Sequence, residues 1–177
     1  NVQQNLRDFV AGGGRLYVAC YSGDYVSKVW PDVATLTQGP SYQTTARIVD
    51  PEVAAYVGSD TINIPIGFDC IVSVNTGLVK EILYSDTVGL IAFSFESGAG
   101  KVIYTDFHSE SGAEMNQEQM KFLQWVAGEV GAGAGSVREA GHPVAYFPFD
   151  DGGVLGEDFM HRLDWDYALV GLTFRAD

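Results

Sequence analysis

The chain has 177 residues, of which 46% are apolar and 12% aromatic. That is enough for one globular domain with a substantial core, or one domain plus a small appendage, and it excludes a disordered chain. With 10 Lys and Arg against 23 Asp and Glu the net charge is −13, which excludes nucleic acid and anionic membrane as partners because both need a basic patch. No apolar run is long enough to insert into a membrane, and no signal-peptide pattern is present. The acidic balance fits an extracellular or cell-envelope surface.

Asn1 to Val10 reads as a helix, with Leu6, Phe9 and Val10 on one face. Gly12, Gly13 and Gly14 stop it, because glycine accepts a left-handed cap. The chain begins at Asn1 without a methionine and within a helical pattern, so it reads as a processed chain or a fragment. Arg15 to Cys20 (RLYVAC) is an apolar strand, followed by a turn at Ser22-Gly23-Asp24 and a short helix from Tyr25 to Trp30 that Pro31 ends. Helix, strand and helix in that order are half of an α/β unit, whose natural consequence is a parallel sheet.

Pro31 to Tyr42 is polar and reads as a surface loop. Asp50-Pro51-Glu52 starts a helix with proline at its first position. Thr61 to Ile66 (TINIPI) is a short strand at a sheet edge, since Pro65 cannot donate to a ladder. Cys70 to Val74 is another strand, with a turn at Asn75-Thr76-Gly77. Gly89 to Phe95 and Lys101 to Phe107 form an antiparallel hairpin around the glycine-rich loop Glu96 to Gly100. Glu114 to Val126 is the clearest helix.

Gly128 to Ser136 (GEVGAGAGS) has the composition of a linker. It divides the chain into an α/β domain over 1–130 and a β-rich extension over 131–177, where Val144 to Phe149 and Ala168 to Phe174 read as strands. The acidic loop Asp150-Asp151-Gly152-Gly153, with Glu157 and Asp158, lacks the alternating spacing of a calcium loop and reads as a solvated turn. His142 and His161 have no partners at metal-ligand spacing. Gly12 to Gly14 precede a strand, whereas a dinucleotide fingerprint follows one. No cofactor and no metal are therefore expected. The aromatics Tyr17, Trp30, Trp125, Trp165 and Tyr167 read as core, with Trp165 and Tyr167 as candidates for exposure.

The stretch that carries chemistry is Lys101 to Glu110 (KVIYTDFHSE), a buried strand that releases Asp106, His108 and Glu110 at its end. Cys20 ends the other apolar strand. A thiol at one strand end, with an imidazole and a carboxylate at another, is the layout of a Cys-His-Glu hydrolytic site. A nucleophile at a strand-to-helix turn gains exposure, and a helix start lowers a thiol pKa. The plainer reading makes Cys20 and Cys70 two buried strand cysteines, with pairing between them open in an oxidising compartment.

Cys20-Tyr21-Ser22-Gly23 together with Phe107-His108-Ser109-Glu110 resembles the class I glutamine amidotransferase-like superfamily. The resemblance covers Asn1 to Val130. It implies a flavodoxin-like, three-layer core with a mainly parallel sheet, to which the hairpin and the β-rich extension are added. It implies Cys20 as nucleophile, His108 as base and Glu110 as its orienter. It also implies that the family's first strand, with its oxyanion glycines, lies upstream of Asn1. The family's elbow has glycine where this chain has Val18 and Ser22, and proline where it has Ser109. GGGRLYVACYSGDYVSKVWPD with GKVIYTDFHSE is similar to non-catalytic modules of bacterial surface and secreted proteins. The expected function is therefore a structural or interaction module of a larger extracellular or envelope protein, meeting a protein partner or the remainder of that chain. The alternative is a glutaminase-type Cys-His-Glu amidohydrolase. A carbohydrate-associated domain is a third.

Overall fold

A computed structural model describes residues 2–37, 42–66, 71–107 and 115–140, and two short strands at 147–148 and 168–169. Helix α1 (Val2–Ala11) buries Leu6 and Val10. It is closed by a bond from Gly14 N to Phe9 O and by Gly13 at φ 105, a backbone angle that side chains disfavour. Strand β1 (Arg15–Ala19) follows, then a 3-10 turn (Cys20–Ser22) and helix α2 (Gly23–Val29). Next come β2 (Ala34–Leu36), β3 (Tyr42–Ile48), α3 (Pro51–Val57), β4 (Thr61–Ile66) and β5 (Ile71–Val74). Strands β6 (Lys80–Ser85), β7 (Gly89–Ser97) and β8 (Gly100–Thr105) lead to α4 (Gln117–Ala140) and the short β9 (Phe147–Pro148) and β10 (Ala168–Leu169).

Six strands form one curled, mixed sheet in the order β1-β8-β7-β6-β3-β4. Of its five strand pairs, only β1–β8 is parallel. The flavodoxin-like, mainly parallel core expected from the sequence is therefore not the fold, and the resemblance to the amidotransferase-like superfamily falls with it. The physical reason lies in the connections. The three-residue turn between β6 and β7 and the two-residue turn between β7 and β8 can join only antiparallel neighbours, whereas a parallel pair needs a long crossover. The N-terminal helix–strand–helix segment supplies one parallel strand, at the edge.

Helices cover both faces of the sheet. On one face α1 and α2 bring Leu6, Val10, Val26 and Val29 against Leu16, Val18, Phe93, Phe95, Val102 and Tyr104. On the other, α3 and α4 bring Val53, Val57, Phe122 and Val126 against Ala46, Ile62, Ile82, Ile91 and Ile103. The alternation of side chains along a strand divides β8 between the two cores, Val102 and Tyr104 to one and Ile103 to the other, which Phe107 joins just past the strand. Where the sequence suggests only a polar loop, the small β2–β5 sheet adds Ala34 and Leu36 to the α1/α2 core.

Local chemistry explains the element ends. Asp50 caps α3 by accepting from Glu52 N at 3.0 Å, with Pro51 at the first helical position. Asn116 and Gln119 cap α4 reciprocally, each side chain accepting the other's backbone N–H at 2.8 and 2.9 Å. Helix α4 runs through Gly128 to Ser136, the stretch whose composition suggests a linker. Glu129 ties that part of the helix to the sheet, since its carboxylate meets Lys101 at 2.8 Å and Arg15 at 3.4 Å.

The edge strand β4 is partly closed to further pairing. Asp60 O accepts from Ile48 N on β3, so alternate residues Thr61, Asn63 and Pro65 turn their backbone groups outward. The Ser59 hydroxyl donates to Thr61 O at 2.7 Å and accepts from Thr61 N at 3.2 Å. Asn116 Nδ2 donates to Asn63 O at 2.9 Å. Pro65 has no N–H to offer. At the other edge, β10 lies beside β1.

Candidate functional site

Strands β1 and β8 run side by side in the same direction, with Ala19 opposite Thr105. Their C-terminal ends share one rim, from which the chain leaves β1 through Cys20 and β8 through Asp106 and Phe107. Among the described residues Cys20 is the one non-glycine with positive φ, at 48°. Left-handed backbone at a side-chain-bearing residue costs roughly 1–3 kcal/mol and gathers at functional turns. Here it turns the strand into the 3-10 turn and α2, and Gly23 N–H closes that turn on Cys20 O.

The rim is buried. Cys20 is 2% exposed, Ser22 2%, Asp106 1% and Thr105 0%. On the α2 face, Gly23 lies flat against Tyr104, and a Cβ at Gly23 would sit 2.9 Å from the ring and 3.1 Å from the hydroxyl. Tyr104 OH donates to Asp106 Oδ1 at 3.3 Å, and Asp106 N donates to Ile91 O on β7 at 2.8 Å. Ser22 Oγ is buried with no hydrogen-bond partner among the described residues.

On the α4 face, Tyr17 OH lies 2.7 Å from Thr105 Oγ1, and Thr105 Oγ1 donates to Phe107 O at 2.7 Å. A hydroxyl has one proton. Thr105 spends its own on Phe107, so Tyr17 is the donor of the first bond. Burial raises the Tyr17 pKa well above its ordinary value of 10.0; the Thr105 bond lowers it and the neighbouring Cys20 raises it further.

No family model matches the chain, and no curated protein matches it. Among solved structures it is similar to a beta-galactosidase from Bacillus circulans sp. alkalophilus, at 13% identity and a TM-score of 0.47. That similarity covers 85% of this chain and 23% of the other, so this chain spans less than a quarter of that protein's length.

Of the three residues expected to form a hydrolytic site, Cys20 stands at the rim of the parallel pair, and His108 and Glu110 lie outside the described residues. Cys70, His142, His161, the acidic stretch from Asp150 to Asp158, Trp165 and Tyr167 also lie outside them. Among the described residues, no three His, Cys, Asp or Glu side chains group to hold a metal, and no helix is long and apolar enough to cross a membrane. An open groove beside α3, lined by Ile48, Val49, Pro51, Ala54, Gly58 and Asp60, includes no residue of the rim.

Sequence reasoning did not find the Tyr17–Thr105 bond or the Tyr104–Asp106 bond. A signal for each was present: a tyrosine and a threonine at inward positions of two strands, and an aspartate closing an apolar run. Polar groups in such places have to be hydrogen-bonded, and the groups within reach are those on the neighbouring strand.

Proposed function

We propose that this domain is a non-catalytic structural or interaction module of a larger protein. It would serve a protein partner or the remainder of that larger chain. The observation that carries the reading is the burial of Cys20, 2% exposed. A thiol nucleophile has to reach a substrate carbonyl with an activating base beside it. Here the sulfur is enclosed, and the rim's polar groups serve the fold: Tyr17 binds Thr105, Thr105 binds Phe107 O and Tyr104 binds Asp106. An extracellular or envelope placement belongs to the same proposal, supported by the net charge of −13. The test is Cys20→Ser. Unchanged binding and assembly are the expected result; loss of binding with the fold intact would overturn the reading.

A second reading is favoured by one observation, the left-handed backbone of Cys20 at a strand-to-helix turn. It makes the domain a Cys-dependent amidohydrolase. The Cys20 thiolate would attack an amide carbonyl, His108 would take the thiol proton and pass it to the leaving amine, and Glu110 would orient the imidazole. Fast alkylation of Cys20 in the folded protein at neutral pH, abolished in His108→Ala, distinguishes this reading. A thiol that stays inert until the protein unfolds eliminates it.

A further inference from the structure

The hydroxyl chain ties the middle of β1 to the exit of β8 by side chains, close to where the ladder that pairs the two strands stops. The registered pair ends at Ala19 opposite Thr105. One residue on, β1 has already turned left-handed at Cys20. Beyond Thr105, β8 keeps the Asp106 N to Ile91 O bond on its β7 side. On its β1 side the continuation is Tyr17 OH to Thr105 Oγ1 and Thr105 Oγ1 to Phe107 O, both 2.7 Å. Tyr17 reaches forward from the middle of β1, and Thr105 passes the tie on to the carbonyl with which β8 leaves the sheet. All three residues are buried, at 7%, 0% and 2% exposure, so water competes poorly for these bonds.

We infer that the Tyr17–Thr105–Phe107 hydroxyl chain is a latch: it clamps the common rim of β1 and β8 and keeps Cys20 out of solvent. Opening the rim requires breaking the buried Tyr17–Thr105 hydrogen bond, the one side-chain tie of the hydroxyl chain that crosses from β1 to β8, while the Thr105–Phe107 bond holds the Thr105 hydroxyl in place to accept it. The latch holds whether or not Cys20 performs chemistry, so it does not rest on either functional reading. Tyr17 and Thr105 are positioning residues in this device.

The test uses the full chain and three near-isosteric variants. Tyr17→Phe and Thr105→Val remove the hydroxyls and keep the shape, while Thr105→Ser keeps the hydroxyl. Two readouts follow rim opening: hydrogen exchange of the Thr105 amide, which alternation turns toward β1 because its neighbour Asp106 N bonds β7, and iodoacetamide labelling of Cys20, mapped by peptide to separate it from Cys70. Breaking one such bond is expected to speed both by about tenfold in Tyr17→Phe and Thr105→Val. Thr105→Ser should stay near wild type, and the Leu16 and Val102 amides at the far end of the pair should be unchanged. Rim exchange at the wild-type rate in both Tyr17→Phe and Thr105→Val would overturn the latch. So would acceleration shared equally by Leu16 and Val102, which marks global destabilisation, or a Thr105→Ser variant as open as Thr105→Val.

Discussion

At the scale of single residues, the rim shows how differently two buried hydroxyls can behave. Ser22 Oγ makes no hydrogen bond among the described residues, so its removal forfeits none and relieves the cost of burying it. Ser22→Ala is expected to leave stability within about 0.5 kcal/mol of wild type or to raise it, as measured by denaturant titration. A loss of more than about 1 kcal/mol would show that the hydroxyl has a partner. Tyr17 is the opposite case. Its pKa in the folded protein is raised above 10.0, chiefly by burial. Above that pH the unfolded chain sheds a proton that the folded chain retains, so stability falls. Lys80 acts in the same direction. Its pKa is raised above 10.5 by its bond to Asp50, so its contribution is present in full below that pH and is lost as pH rises through the folded value. The denaturation midpoint is therefore expected to hold through neutral pH and to fall above pH 10.0–10.5, less steeply in Tyr17→Phe. An alkaline limb of equal slope in the variant would remove Tyr17 from the account.

At the scale of elements, the β7–β8 hairpin shows both what could be read from the sequence and what could not. The two apolar runs around Glu96 to Gly100 announce the hairpin correctly, and Gly98 at φ 63 supplies its turn. Gly100 has another reason to be glycine. The turn is pressed onto the end of α1, with Ala99 N on Ala11 O at 3.0 Å and Lys101 N on Gly14 O at 3.2 Å. A Cβ at Gly100 would lie 2.0 Å from Val10 O and 2.2 Å from Gly14 O. Gly100→Ala is thus expected to cost about 3 kcal/mol or more, read as a drop in denaturation midpoint. A variant as stable as wild type would mean that α1 does not pack there. No local pattern announces a contact with a segment some ninety residues earlier. Strand β3 escaped for a different reason. Thr44, Thr45 and Arg47 make YQTTARI too polar to read as a strand, yet Ala46 and Ile48 are buried against α3 and α4. Asp50-Pro51 fixed the start of α3, because capping is local chemistry. Pro65 likewise placed β4 at an edge, where the structure has it.

At the scale of the molecule, strand adjacency was partly legible, whereas strand direction was legible at the β7–β8 hairpin and not across the sheet as a whole. The neighbourhood of β1 and β8 follows from two apolar strands that each release polar residues, and the structure pairs them. The mainly parallel sheet was extrapolated from one helix–strand–helix segment, and short turns between β6, β7 and β8 overrule it. Of the candidate site, the sequence could point to Cys20 at a strand end. It could not show the burial or the hydroxyl partners, which depend on side chains brought together from residues 17 and 105. One sheet serves two cores, and β8 contributes to each, so the two cores should melt together. Ile82→Ala on the α3/α4 side and Val26→Ala on the α1/α2 side are each expected to lower one shared thermal transition. Two separable transitions would show that the helical layers unfold independently.

The partly closed border at β4 has a consequence for how copies of this protein treat one another. An open strand border is a template on which a second chain can crystallise its own strand, and a third on that, until a fibre grows. With Ser59 on both outward groups of Thr61, Asn116 on the Asn63 carbonyl and no N–H at Pro65, that self-templating finds a poor start on this side. Crowding many copies together would then favour contacts other than strand addition at this border.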